Sequence, residues 1–257
     1  MGFFGKLFEK KICDVCGEEI GLLGNRKLED GNLCKACARK LSPWFEERRH
    51  STLEEIKQQL AYREENRKAV QAFNVTRTFG VSRKVYLDDD AGKFMVVQTG
   101  NIEEENPDVL DVSQVTGCNL DIRQTEHEDK RRNDEGNMVS YNPPRIWFSY
   151  DFYMLIRVNH PYFDEMNFRL NSGSVDVKPN FGSFVRSINP ASNRDYMEYE
   201  QIGSEIREAL LNASHEVRQK AQEAKAPPRR VTCPWCGATT TPDASGCCEY
   251  CGGSVEA

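Results

Sequence analysis

The sequence predicts an α+β fold in which a central run of antiparallel strands, closed by a C-terminal helix, carries a small cysteine-rich module at either end. Three observations predict it. Eight of the ten cysteines fall into four Cys-x-x-Cys pairs, two near each terminus. From Asn74 onward the apolar residues follow the short alternation of strands. After the strands, Tyr196, Tyr199, Ile202, Ile206, Leu210 and Val217 recur at steps of three, four or seven, which is the stripe of an amphipathic helix.

Composition bounds this organisation. A chain of 257 residues suits one sizeable domain with small satellites. Its 39% hydrophobic and 29% charged content fits a folded protein with solvated helices. No apolar run approaches the roughly 18 to 20 residues that span a bilayer, and the start lacks the residue order of a secretory signal. The expected compartment is the cytoplasm. A net charge of -6 argues against indiscriminate binding to phosphate backbones, which depends on excess Lys and Arg. Residues 1–50 hold ten basic against eight acidic side chains and residues 75–192 thirteen against eighteen, so any nucleic-acid face would be local.

The first module spans residues 1–43 and ends at Ser42-Pro43, a helix boundary. A connecting helix over residues 51–73 follows. Ser51 with Glu54 and Thr52 with Glu55 form overlapping capping boxes, and Leu53, Ile56 and Leu60 recur at helical spacing. Beyond Leu60 its surface reads as charged and solvated. The strand-rich domain covers residues 74–223, with candidates at Val75–Phe79, Lys84–Leu87, Phe94–Gln98, Val115–Arg123, Arg145–Tyr150, Tyr153–Asn159, Asn167–Leu170 and Ser174–Val177. Glu126–Asn137 is almost wholly polar and reads as a mobile hairpin loop. About seven strands followed by one helix is the element order of pleckstrin-homology-like barrels; an open antiparallel sheet on helices competes with it. Residues 224–231, with Pro227-Pro228, form a stiff linker, and residues 232–257 a last small module.

In a chain without a secretory signal, cysteines at such regular spacing point to metal rather than disulfides. Cys13, Cys16, Cys34 and Cys37 form the first set, Cys233, Cys236, Cys248 and Cys251 the second. Zinc prefers four tetrahedral ligands, and each Cys-x-x-Cys turn supplies two adjacent vertices. Gly17, Gly237 and Gly252 directly follow three of the pairs and let the backbone turn beneath the sulfurs. A first pair, a hairpin and a helix opening on the second pair predict a treble-clef-like finger; two facing knuckles predict a C-terminal zinc ribbon. Iron is the alternative occupant at the second site. Four thiolates leave no vertex for substrate, so two structural Zn2+ ions are expected and no catalysis by them. Cys248 is preferred over its neighbour Cys247 because it reproduces the two-residue spacing and the trailing glycine.

Lys11, Lys35, Arg39, Lys40, Arg229 and Arg230 lie beside these sets, where they either offset thiolate charge or contact nucleic acid. Cys118 reads as a core residue. His50, His127, His160 and His215 are scattered, and no catalytic residue, cofactor site or small-molecule substrate is indicated. Residues 1–11 mix aromatic and basic side chains, as surface-binding segments do, but Lys6 does not fit a myristoylation signal. The stretch 159–166 joins aromatic to acidic residues and reads either as a binding loop or as a connection capping the strands.

The residues CDVCGEEIGLLGNRKLEDGNLCKACARKLSP, from Cys13 to Pro43, resemble a bacterial family known as domain of unknown function 4428, a zinc finger. The run NHPYFDEMNFRLNS resembles the strand-rich region that follows the finger in such proteins. The resemblance implies zinc binding through Cys13, Cys16, Cys34 and Cys37 and brings no activity. The expected function is that of a non-enzymatic adaptor for a protein partner, with nucleic-acid binding and membrane-surface contact as alternatives.

Overall fold

The structure is a computed structural model and describes residues 11–98, 100–179, 188–225, 230–243 and 245–255. The aromatic and basic N-terminal segment, apart from Lys11, and residues 226–229 of the Pro-rich linker lie outside these residues. The chain divides into two compact units, Met1–His215 and Glu216–Ala257. Helices and several antiparallel sheets are mixed, with one cysteine cluster towards each end.

The first unit opens on two minimal hairpins, β1 (Lys11–Ile12) with β2 (Glu19–Ile20) and β3 (Arg26–Lys27) with β4 (Asn32–Leu33). Strands this short cannot stand alone, and Asp14 ties the two hairpins together. Its amide donates to the Asn32 carbonyl at 2.9 Å, and its carboxylate accepts from the Asn32 amide at 2.6 Å. Gly31 is needed beside this contact, since a Cβ there would lie 2.9 Å from Asp14 Oδ2. The chain then enters the short helix α1 (Lys35–Ala38), capped by Cys34.

Of the two possible capping boxes, Thr52 with Glu55 is the one that starts α2 (Leu53–Ala72). Asp30 reaches across from the finger to accept the Leu53 amide at 2.7 Å. The first turns of α2 bury Ile56 and pack Leu53 and Leu60 against Ile20, Leu28, Leu33 and Leu41, so this end of the helix belongs to the finger's core. Beyond Leu60 the structure departs from the solvated face read in the sequence. Arg63 and Asn66 are each only 4% exposed. Arg63 Nη1 pairs with Asp108 at 2.7 Å, while Ser42 Oγ and Tyr62 Oη donate to the same carboxylate at 2.8 and 3.0 Å. Asn66 donates to the Asn106 side chain at 2.9 Å and to the Pro107 carbonyl at 2.7 Å. Arg63 Nε also donates to the Lys40 carbonyl at 3.2 Å. A buried charge needs such saturation to be tolerated. Because the partners of Arg63 and Asn66 lie from 23 to 45 positions away along the chain, no local period reveals them.

The central part is two antiparallel sheets. β5 (Arg77–Phe79), β6 (Lys84–Asp88), β7 (Lys93–Val97) and β8 (Leu110–Asp111) pair in chain order, with the single-turn helix α3 (Ile102–Glu105) between the last two. β9 (Val115–Arg132) and β10 (Met138–Val158) form a long hairpin, and the other edge of β10 carries β11 (Glu165–Arg169) and β12 (Val175–Val177). Leu87, Phe94, Met95, Leu110, Phe152, Met154, Ile156, Met166 and Phe168 are all buried. The predicted stripe is the buried face of α4 (Arg194–Lys225): Ile206 and Leu210 are fully buried, and Tyr196 sets its ring edge-on to Tyr150 and Phe152 at 4.9 and 5.2 Å. Gly203 permits this approach, because a Cβ there would come within 2.6 Å of Leu120.

The polar stretch Glu126–Asn137 is largely strand rather than loop, since β9 continues to Arg132 and only a tight turn around Gly136, with φ +84°, remains. Both faces of this arm carry polar residues, so it lacks the one-sided apolar alternation that marks a strand in sequence. Cross-strand pairs support it instead. The His127 and Trp147 rings stack at 4.1 Å, Trp147 Nε1 donates to Asp129 at 2.9 Å, and the Arg131 guanidinium lies 5.9 Å from the centre of the Tyr141 ring.

In the second unit, β13 (Val231–Thr232) pairs with β14 (Thr239–Thr240). Its core is Cys233, Cys248 and Val255 with Val231 beside them. Among the described residues no helix is long and apolar enough to cross a membrane.

Candidate metal centres

The first centre gathers Cys13, Cys16, Cys34 and Cys37, whose sulfurs all lie within 4.8 Å of one another. Cys13 and Cys16 sit on a turn closed by two backbone bonds, from the Cys13 amide to the Glu18 carbonyl at 2.9 Å and from the Gly17 amide to the Cys13 carbonyl at 2.8 Å. Gly17 takes φ +76°, a conformation that side chains disfavour. The other two ligands come from the start of α1. Cys34 Sγ accepts the Cys37 amide at 3.3 Å, and Cys13 Sγ accepts the Cys34 amide at 3.2 Å.

The second centre gathers Cys233, Cys236, Cys248 and Cys251 within the same 4.8 Å limit. It repeats the turn of the first centre twice. Amide-to-carbonyl bonds link Cys233 to Ala238 and Gly237 to Cys233, each at 2.9 Å, and Cys248 to Gly253 and Gly252 to Cys248 at 2.9 and 2.8 Å. Gly237 and Gly252 take φ +72° and +70°. Cys247 is outside the cluster: it bridges Ser254 in a short antiparallel contact, and its amide donates to Asp243 at 2.9 Å.

The sulfur spacing fits a tetrahedral ion. Four thiolates bound tetrahedrally to zinc at about 2.3 Å place their sulfurs about 3.8 Å apart. The measured separations are 3.7 Å for Cys16–Cys34, 3.6 Å for Cys233–Cys251 and 3.8 Å for Cys236–Cys248. Both clusters are thus positioned to bind two zinc ions. Proton balance agrees. Burial pushes the Cys13 thiol up, but the amides of Cys34, Cys16 and Val15 outweigh it and draw it down to about 6. Burial and the three neighbouring thiols push Cys37 well above its ordinary range. In the second set Cys248 is drawn to about 6 by the Cys251 and Tyr250 amides against burial, while Cys251, despite the Gly253 amide, is pushed to about 12 by the other sulfurs. Four sulfurs this close cannot all ionise without a cation, so a dication would displace the remaining protons.

The remaining sequence candidates do not converge. Cys118 is buried, and burial pushes its thiol up to about 12. His50 and His215 are exposed, and His127 stacks on Trp147 with Nε2 2.7 Å from Ser149 Oγ. His160 packs against Tyr62 and Phe163, with ring centres 5.1 and 4.2 Å away. Lys11, Lys35, Arg39, Lys40 and Arg230 are exposed, whereas Arg229 lies outside the described residues. Sequence reading missed the Arg63, Asn66, Asn106 and Asp108 group, whose only local signal is a pair of polar residues on an otherwise solvated helix.

Two tetracysteine clusters positioned to bind zinc are the mark of a metal-binding protein. Residues 11–59 match the model of a family described as Domain of unknown function (DUF4428). That span contains the first centre together with Leu53 and Ile56 of α2, which share its core. Comparison with curated proteins and with solved structures gives no match.

Proposed function

We propose that the chain is a non-enzymatic cytoplasmic adaptor that binds a protein partner through its two zinc modules and its middle domain. The turn, hairpins and short helix of the first module support a treble-clef-like finger, and the paired turns of the second support a zinc ribbon. Two sheets followed by α4 support a pleckstrin-homology-like middle domain. The observation that carries the functional reading is where apolar side chains face solvent. Leu22, Leu23, Trp235 and Tyr250 are 85%, 92%, 75% and 67% exposed, the highest values among the large apolar residues described, and all four belong to the zinc modules. Isolated exposed apolar residues are common, but aromatic anchors held in fixed positions are the usual hot spots of protein interfaces. Trp235 is held in this way: its Nε1 donates to the Ser254 carbonyl at 3.1 Å, and its ring lies over Gly253, where a Cβ would come within 2.6 Å.

Cross-linking in the source cell tests the proposal. The native chain should capture a defined protein that the Leu22→Ser/Leu23→Ser and Trp235→Ala/Tyr250→Ala variants lose while keeping their zinc and melting temperature. Unchanged capture by both variants would remove the finger tips from the interface. Sharply salt-dependent binding of DNA or RNA, with no protein captured, would replace the adaptor by a nucleic-acid-binding protein.

A further inference from the structure

Within the first unit, the segment after the finger, residues 43–51, meets the loop of residues 159–164 and the start of β11. Two clefts of about 580 and 500 Å³ adjoin there and share Glu47, Tyr162, Phe163 and Asp164 in their walls. Ligand sites commonly fall in this range of volume. The finger side contributes Trp44 and Phe45. On the loop side the His160 ring lies 4.2 Å from Phe163 and 5.7 Å from Tyr162.

The charge is one-sided. Besides Glu47 and Asp164, the walls carry Glu46, Glu55 and Glu165, and the cation among them is Arg83. All five carboxylate residues are exposed, and among the described residues no ion pair joins any of them to a cation. Glu55 is engaged in the cap of α2, which leaves four at the rim. Carboxylates beside aromatic faces suit guanidinium and ammonium groups, which satisfy both the negative charge and the ring quadrupole. A second observation favours a peptide over a small cation. The two clefts adjoin through four shared wall residues, which gives room for successive side chains of one extended segment.

We propose that this groove binds an extended Arg- or Lys-rich peptide segment of a protein partner. The assignment deepens the adaptor reading, on which it rests, by giving the partner's chemistry. The test uses the full zinc-loaded chain and a fluorescein-labelled octapeptide of alternating Arg and Gly, with the matching Glu-Gly peptide as control. The basic peptide should bind, the acidic one should not, and added salt should weaken binding. Glu47→Gln/Asp164→Asn should lower affinity by about tenfold or more. Glu64→Gln/Glu65→Gln removes the same two charges from exposed positions on α2 and should leave affinity unchanged. Equal loss in both variants, no loss in either, or equal binding of the acidic peptide would overturn the proposal. So would spermidine binding as tightly as the peptide with the same dependence on Glu47 and Asp164. A chain that binds the basic peptide but captures no protein in cells keeps the groove and loses the adaptor. One whose captured protein is indifferent to Glu47→Gln/Asp164→Asn keeps the adaptor and loses the groove.

Discussion

At Cys247 and Cys248 neighbouring identical residues meet different fates. Adjacent side chains in extended backbone point to opposite faces, so one thiol faces the ion and the other leaves it. The structure directs Cys248 to the cluster and Cys247 to a bridge with Ser254. Cys248→Ser should therefore lower bound zinc from two equivalents per chain to one, while Cys247→Ser leaves it unchanged. Elemental analysis showing the reverse pattern would mean that the ribbon uses the other cysteine. His160 offers a test by pH. Burial lowers its pKa below the ordinary value of 6.5, with Asp108 opposing in part. The unfolded chain then takes up its proton first, so the contribution is complete above about pH 6.5 and is lost as pH falls from there through the folded pKa. Chemical-denaturation midpoints measured from pH 7 downwards, while zinc stays bound, should fall less steeply for His160→Gln than for the parent. Parallel profiles would show that His160 does not carry this dependence.

On the scale of elements, α2 does two jobs along one length. Its first turns complete the apolar core of the finger, and its middle turns enter a polar core with the loop around Asp108. Burial, then the adjacent Asp108 carboxylate, keeps the Tyr62 phenol well above its ordinary range, so it remains a donor to that carboxylate. Arg63 and Asp108 have side chains 5% and 0% exposed, and removing one partner from such a pair leaves the other charged and uncompensated. Arg63→Ala should cost about 3–5 kcal/mol of unfolding free energy. Arg63→Met/Asp108→Leu should cost clearly less, because neither charge is left behind. If the double variant proves as unstable as the single one, hydrogen bonds to Lys40 and Asn106 rather than charge compensation dominate.

For the whole molecule, this polar core makes the middle domain depend on what precedes it. Sequence reading sets residues 74–223 apart as a domain. In the structure Asn106 and Asp108 are 5% and 0% exposed and take their partners from Ser42, Tyr62, Arg63 and Asn66, all of which that fragment lacks. Each unsatisfied buried polar group costs about 1–3 kcal/mol, comparable with much of a small domain's stability. A 74–223 fragment should thus show a melting temperature well below that of an 11–225 fragment carrying one zinc. Equal melting temperatures would mean that water replaces the lost partners without cost. The second unit depends on metal more directly, because two of its three buried core residues are the ligands Cys233 and Cys248.

The sequence by itself determined the cysteine sets, the glycines that turn beneath them, the capped start of α2 to within one residue, most strands and the buried face of α4. Each is written in local spacing, with a turn, a cap or a period fixed by residues a few positions apart. Only the tertiary structure decided that α2 buries Arg63 and Asn66, that Glu126–Arg132 is strand, and that the finger-following segment lines two adjoining clefts with the loop of residues 159–164 and the start of β11. These depend on partners tens of residues away. A buried ion pair, a two-sided polar ribbon and a groove with walls from two distant segments have no local period, so their physical cause exists only once the chain has folded.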